Sequence, residues 1–149
     1  MPVSELCTRE VVVVSRSETV LEAARLMRHH HVGDVIVVEE RGGSRIPVGI
    51  VTDRDFVVEI MANGLDPGSI SVGEIMVPEL ATIESERGLF EAIEYMRSKG
   101  VRRLPVVGEG GALIGILSLD DLLELLAEEL SSIARLVRSE RKKEERSRS

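Results

Sequence analysis

The chain repeats itself once, and that constrains its fold more than anything else in it. Residues 3–38 align with 72–107 at an offset of 69, and residues 48–56 align with 114–122 at an offset of 66. Val3, Glu5, Glu10, Glu22, Ala23, Met27, Arg28, Val32, Val37 and Val38 recur as Val72, Glu74, Glu79, Glu91, Ala92, Met96, Arg97, Val101, Val106 and Val107. Gly49-Ile50 and Asp55 recur as Gly115-Ile116 and Asp121, so the connecting hairpin alone changes length. A unit of about 70 residues is too long for a solenoid repeat and suits a supersecondary module that pairs with its copy. Each half alone would be marginal, because a chain of about 60 residues buries only about 60% of its unfolded surface. The halves are therefore expected to share a core, and function should lie in what both copies keep.

Each copy opens on a short segment, Val3–Cys7 or Val72–Met76, followed by an apolar strand candidate at Val11–Val14 or Leu80–Ile83. Val20, Ala23, Ala24 and Met27, and again Leu89, Ala92, Ile93 and Met96, fall at the i, i+3, i+4, i+7 spacing of a helix with one apolar stripe. Val35–Val38 and Leu104–Val107 read as buried strands, since short β-branched runs bounded by glycine and charge fit a sheet better than a helix. Gly42-Gly43 and Gly108–Gly111 supply turns into further strands at Ile46–Val51 and Ala112–Leu117. A helix starts near Thr52 or Ser118; the first stops at Asn63-Gly64, a left-handed cap signal, and Leu65–Ser71 links the copies. The second helix continues through Leu119, Leu122, Leu123, Leu126, Leu130, Ile133 and Val137, more apolar surface than a small module needs. That excess predicts a packing partner. The order strand, helix, strand, strand, helix, written twice, places the chain in the α/β class with small mixed sheets.

Composition narrows the function classes. The aromatics are Phe56, Phe90 and Tyr95, so stacking of single-stranded nucleic acid on aromatic platforms is not expected. Cys7 is the sole cysteine, which excludes an internal disulfide and a multi-cysteine zinc site. With no run approaching the ~18 residues of a membrane span and no signal-like N-terminus, a cytoplasmic protein without membrane contact is expected. The net charge of −7 is divided: residues 135–149 carry seven Lys/Arg against three Glu, and the remainder twelve basic against twenty-three acidic side chains. An acidic body disfavours nucleic-acid binding, while the basic tail, read as a solvated and partly disordered helix end, leaves a small opening for it. His29-His30-His31 point around a helix rather than converge, so no metal site is expected there.

The recurring polar element is Thr52-Asp53-Arg54-Asp55 and Ser118-Leu119-Asp120-Asp121, a hydroxyl followed three residues later by a carboxylate where a strand passes into a helix. The N–H groups of that first turn favour an anion such as phosphate, and the carboxylate can accept from the vicinal hydroxyls of a ribose. The same spacing is also a helix capping box, worth ~1 kcal/mol and needing no ligand. The two roles are compatible, and the double occurrence after Gly-Ile favours functional use.

Taken together, Gly49-Ile-Val-Thr-Asp-Arg-Asp55, Gly115-Ile-Leu-Ser-Leu-Asp-Asp121 and the strand Leu104-Pro-Val-Val107 make residues 3–130 resemble a tandem pair of cystathionine β-synthase (CBS) domains, the Bateman module. The resemblance implies domains at 1–64 and 72–130, with 65–71 as linker and 131–149 as a charged extension, the repeats packing about an approximate twofold axis. It implies that adenosine ligands occupy clefts between the repeats. Asp55 and Asp121 would hold ribose hydroxyls, and Thr52 and Ser118 phosphate or ribose. Backbone of Val11–Val14 and Leu80–Ile83, with Val35-Ile36 and Leu104-Pro105, would enclose adenine. Arg102 and Arg103 stand where family members place phosphate ligands; their counterparts are Gly33 and Asp34, so the first site would rely on Arg54.

The expected function is a non-catalytic, homodimeric energy-sensing module, without a resident cofactor, that binds AMP, ADP, ATP or S-adenosylmethionine and signals to an effector protein in trans. A ligand-free scaffold and a regulator that touches nucleic acid through its tail are the alternatives.

Overall fold

A computed structural model describes residues 1–148, which divide into two compact units, Met1–Leu117 and a second that begins at Ser118. In the first unit a one-turn helix α1 (Val3–Leu6) leads to the short strand β1 (Val13–Val14), helix α2 (Val20–His30), strands β2 (Asp34–Arg41) and β3 (Ser44–Thr52), and α3 (Asp53–Asp55), which continues as a π-helical turn over Phe56–Met61. The second copy follows as α4 (Val72–Ile75), β4 (Ile83–Glu84), α5 (Leu89–Lys99), β5 (Arg103–Val107), a 3₁₀ turn at Glu109–Gly111 and β6 (Leu113–Ser118). Two three-stranded sheets result, ordered β1-β2-β3 and β4-β5-β6.

In the first sheet β1 runs parallel to β2, and β2 antiparallel to β3 with Asp34 opposite Thr52. The hairpin closes through Gly42 and Gly43, both at positive φ, as a two-residue primed turn requires. A bulge moves Val38 opposite Pro47 just after Val37 pairs with Gly49; Pro47 has no N–H to give the ladder, so a bulge is where it fits. The helix stripes read from sequence are the buried faces: Val20, Ala23 and Met27 in α2, Ala92 and Met96 in α5.

The predicted strands at Val11–Val14 and Leu80–Ile83 shrink to two residues each, and β4 begins one position later than β1. The reason for the later start is visible in the pairing. Ile36 donates its N–H to Val12 O at 3.0 Å, but the equivalent of Ile36 is Pro105, which has no N–H, so the corresponding rung cannot form. The helix expected from Thr52 forms, yet most of it is π-wound; Gly64, at φ 65, ends the excursion.

The repeats exchange their opening segments. Val3 and Ser4 N–H donate to Arg87 and Ser85 O, while Val72 and Gly73 N–H donate to Glu18 and Arg16 O, residue for equivalent residue. Val72, with Ile75 and Met76 beside it, thereby completes the core cluster of Val14, Val20, Val35, Val51 and Ile60. Ile36 and Val38 of one sheet pack with Ile116 of the other. Shared burial of this kind is what a half too small to fold alone demands.

The second unit is dominated by α6 (Leu119–Arg148), thirty residues long. The helix continues into the charged end that composition presented as partly disordered. Spacings such as Arg141 to Glu145 place opposite charges at i, i+4, which supports a solvated helix.

Candidate functional site

At the first strand-to-helix junction the capping box is fully made. Thr52 N–H donates to Asp55 Oδ2 at 2.8 Å, and Asp55 N–H donates to Thr52 Oγ1 at 3.2 Å. The second junction repeats one half of it, Asp121 N–H donating to Ser118 Oγ at 3.1 Å. Both hydroxyls thus already cap their own helix starts, and at the first, where the Asp55 carboxylate is engaged through Oδ2, a ligand would meet its remaining oxygen.

Around the first junction the charge is mostly negative. Thr52 lies opposite Asp34 across the β2–β3 ladder, and Asp53 N–H donates to Gly33 O at 3.0 Å. A Cβ on Gly33 would sit 3.1 Å from an Asp53 carboxylate oxygen, so glycine here admits that side chain. Asp34, Asp53 and Asp55 therefore crowd one end of the first sheet. Arg54, the cation expected to serve this site, is exposed.

Arg103 goes elsewhere: its Nε lies 2.6 Å from Asp34 Oδ2, joining the two sheets. Asp34 is only 20% exposed, and desolvation holds its carboxyl above the ordinary range; the Arg103 charge and hydrogen bond pull the other way, and Asp53 adds to the rise. This pair was not anticipated, although the sequence held the signal. Asp34 and Arg103 occupy equivalent positions in the two copies, and equivalent positions near a pseudo-twofold axis meet each other.

The residues expected to enclose adenine are mostly buried. The side chains of Val35, Ile36, Leu104 and Pro105 are fully buried, and those of Val14 and Ile83 nearly so. What remains within reach of a base is the half-buried Val11 and Leu80 and the backbone of their segments. Here the copies differ: Val12 O is tied to Ile36, whereas proline at 105 leaves Ala81 O without that partner.

A cleft of about 410 Å³ is lined by Thr82, Ile83 and Glu84, by Val107 of β5, by Arg87 just before α5 and by Glu91 and Tyr95 on it. Its size is in the range of small-ligand sites. It holds two carboxylates against one guanidinium, and Arg87 already donates to Glu91 at 2.9 Å, so it disfavours phosphate. Thr52, Asp55, Arg102 and Arg103 are not part of this cleft. No cluster of three or more metal-ligating side chains occurs among the described residues. Cys7 is half-buried and donates to Ser4 O at 3.7 Å; burial pushes its thiol up, against an opposing pull from Arg9, which makes it a poor nucleophile at neutral pH.

A duplicated α/β unit with matched strand-to-helix junctions defines a tandem domain pair. The chain belongs to the CBS domain family, whose profile matches residues 3–62 and 72–128. It is 37% identical over 123 residues to an uncharacterized protein of Methanopyrus kandleri, covering 83% of this chain but spanning only 61% of that relative's length. Among solved structures it resembles a hexameric CBS-CP12 protein from bloom-forming cyanobacteria (32% identity, 83% of this chain and 66% of that chain, TM-score 0.73). It also shares the fold of a CBS domain pair solved with 5′-methylthioadenosine and S-adenosyl-L-methionine, at 20% identity, 87% and 98% coverage and TM-score 0.74. No helix among the described residues is long and apolar enough to cross a membrane.

Proposed function

We propose that this chain is a non-catalytic, cytoplasmic, homodimeric module that binds a phosphorylated adenosine ligand through its second repeat and passes occupancy to an effector protein. The observation that carries this reading is the asymmetry between equivalent backbone positions. Ala81 O, not held by a strand N–H at position 105, can accept from the amino group of adenine, and Arg102-Arg103 follow within the same copy. The first repeat offers Val12 O already engaged and an acidic rim instead. Binding of adenosine ligands by a pair of the same fold supports the choice of base.

Signalling follows from Arg103. A ligand phosphate that draws its guanidinium from Asp34 removes a contact between the sheets, so occupancy biases how the repeats pack. The absence of a nucleophile–base pair in the sequence pattern supports a sensing role over catalysis. The exposed apolar face of α6 favours a second reading, a ligand-free dimerisation scaffold.

Thermal melts with adenosine and guanosine nucleotides separate the two. Ligand at about one hundred times its dissociation constant should add about 2.7 kcal/mol, with adenosine compounds effective and guanosine compounds much less so. Failure of AMP, ADP, ATP and S-adenosylmethionine to shift the melt would favour the scaffold.

A further inference from the structure

Glu84 stands between two clefts of the second copy. On one side is the 410 Å³ cleft that follows Ile83 and Tyr95; on the other is one of about 490 Å³, lined by Ser85, Glu86 and the turn at Glu109–Gly111, and Val107 lies in both. A shallower depression shares Glu91 and Tyr95 with the first and adds Phe90, Glu94 and Ser98. Ser85 is nine-tenths buried, yet its hydroxyl, in the wall of the second cleft, has no hydrogen-bond partner among the described residues. The groove so formed carries Glu84, Glu86, Glu91, Glu94 and Glu109. Arg87 holds Glu91 at 2.9 Å and Arg97 holds Glu94 at 2.7 Å, while the other three carboxylates hydrogen-bond to no described residue.

The frame itself does not demand this chemistry, because the first copy stands without it. Glu84-Ser85-Glu86 takes the place of Ser15-Arg16-Ser17, and Tyr95 that of Leu26. Leu26 packs against its own core, and the equivalent cleft of the first copy, about 580 Å³, balances Arg16 and Arg45 against Glu39 and Glu40. Divergence has therefore made one of two equivalent surfaces acidic.

The groove repels anions, and no three metal-ligating side chains cluster among the described residues. A long, flexible cation with apolar stretches fits it. Its charges would meet separated carboxylates, and its methylenes would lie on Ile83 and Val107, which are nearly buried. The Tyr95 ring already receives a cation, with Lys99 Nζ 5.8 Å from its centroid.

We propose that this groove binds a linear aliphatic polyamine, with the Ser85 hydroxyl accepting a hydrogen bond from one of its ammonium groups. The site is separate from the adenosine reading above and does not depend on it.

Calorimetric titration of spermidine into the full chain, without nucleotide and at about 0.15 M salt, tests the proposal and should show one saturable site. Glu84→Ser with Glu86→Ser installs the residues that the first copy folds with, and should weaken binding about tenfold. Tyr95→Leu, again the first copy's residue, should weaken it about threefold, and Lys99→Ala, which removes a competing cation from the ring, should strengthen it about twofold. Unchanged affinity in the double variant would overturn the proposal. Displacement of spermidine by an equal concentration of Mg²⁺ would overturn it too, since that marks diffuse attraction to an acidic surface, as would the absence of binding at this salt.

Discussion

The two repeats share a plan and differ at the few positions where chemistry could enter. Both donate an opening helix to the other, both bury the same helix stripe and both start a helix on a hydroxyl–carboxylate pair. Yet Ile36 is matched by Pro105, Gly33-Asp34 by Arg102-Arg103, and His31 by Gly100. In the first copy Val12 O accepts from Ile36 N–H; in the second, proline at 105 supplies no such donor, and Arg103 is paired with Asp34 of the first. Duplication supplies the frame, and the copies diverge at these equivalent positions.

The largest effect expected from breaking the symmetry concerns a position that both copies keep. A Cβ on Gly115 would meet Thr8 O at 2.5 Å and Cys7 Sγ at 2.9 Å, while on Gly49 it would meet the Met76 thioether at 2.5 Å. Thr8 is held by reciprocal hydrogen bonds of 2.9 Å with Ile116 and cannot withdraw, whereas a methionine side chain can turn aside. Gly115→Ala should therefore cost about 3 kcal/mol and Gly49→Ala about 1 kcal/mol. Urea denaturation of the two variants gives the ranking; equal costs would show that the opening segments are not held as described.

That shared glycine also marks where sequence reading stopped. The repeat, the buried stripes of α2 and α5 and the capping pairs were legible because each is a local pattern. Gly49 and Gly115 could be recognised as part of a motif, but their reason lies in the other copy's opening segment, nearly 30 residues later for Gly49 and over 100 earlier for Gly115. The later start of β4 could have been anticipated from Pro105 alone, since the missing N–H is a property of the residue. The π-wound Phe56–Met61 segment has no local signature; β-branched Val57 and Val58 disfavour helix without saying which winding replaces it. At the site, the residue types and the Thr52–Asp55 capping box were legible; that Arg103 is held by Asp34 was not, because it is a fact of packing.

The Asp34–Arg103 pair sharpens the comparison next. Asp34→Asn keeps the shape of the side chain and releases the guanidinium, so ATP affinity should rise about fivefold if freeing Arg103 is worth ~1 kcal/mol. Unchanged affinity would mean that Arg103 is not the phosphate ligand. The pH dependence has a definite sign. Asp34 is held above its unfolded pKa, so its ionisation costs stability in the folded state; that cost is present above the folded pKa and is relieved as pH falls below the unfolded value. Melting temperatures of wild type and Asp34→Asn compared between pH 7 and 4 should move in the wild type's favour on acidification.

A smaller effect is expected where the copies end their first helices. His31 caps α2 at φ 55 and Gly100 caps α5 at φ 65, but only glycine adopts that region without strain. His31→Gly should stabilise the protein by about 0.5–1 kcal/mol, measured as a rise in the denaturation midpoint. A loss of stability would show that the imidazole contributes more than its exposed position suggests.

The central claim, that the second repeat is the one that receives a phosphorylated adenosine, is tested most directly by calorimetric titration of adenosine, AMP and ATP into wild type and the Arg102→Ala, Arg103→Ala double variant. Charge-assisted hydrogen bonds to phosphate are roughly twice as strong as neutral ones, so the double variant should bind ATP at least tenfold more weakly while holding adenosine within about twofold of wild type. ATP affinity that survives the loss of both arginines would contradict the claim.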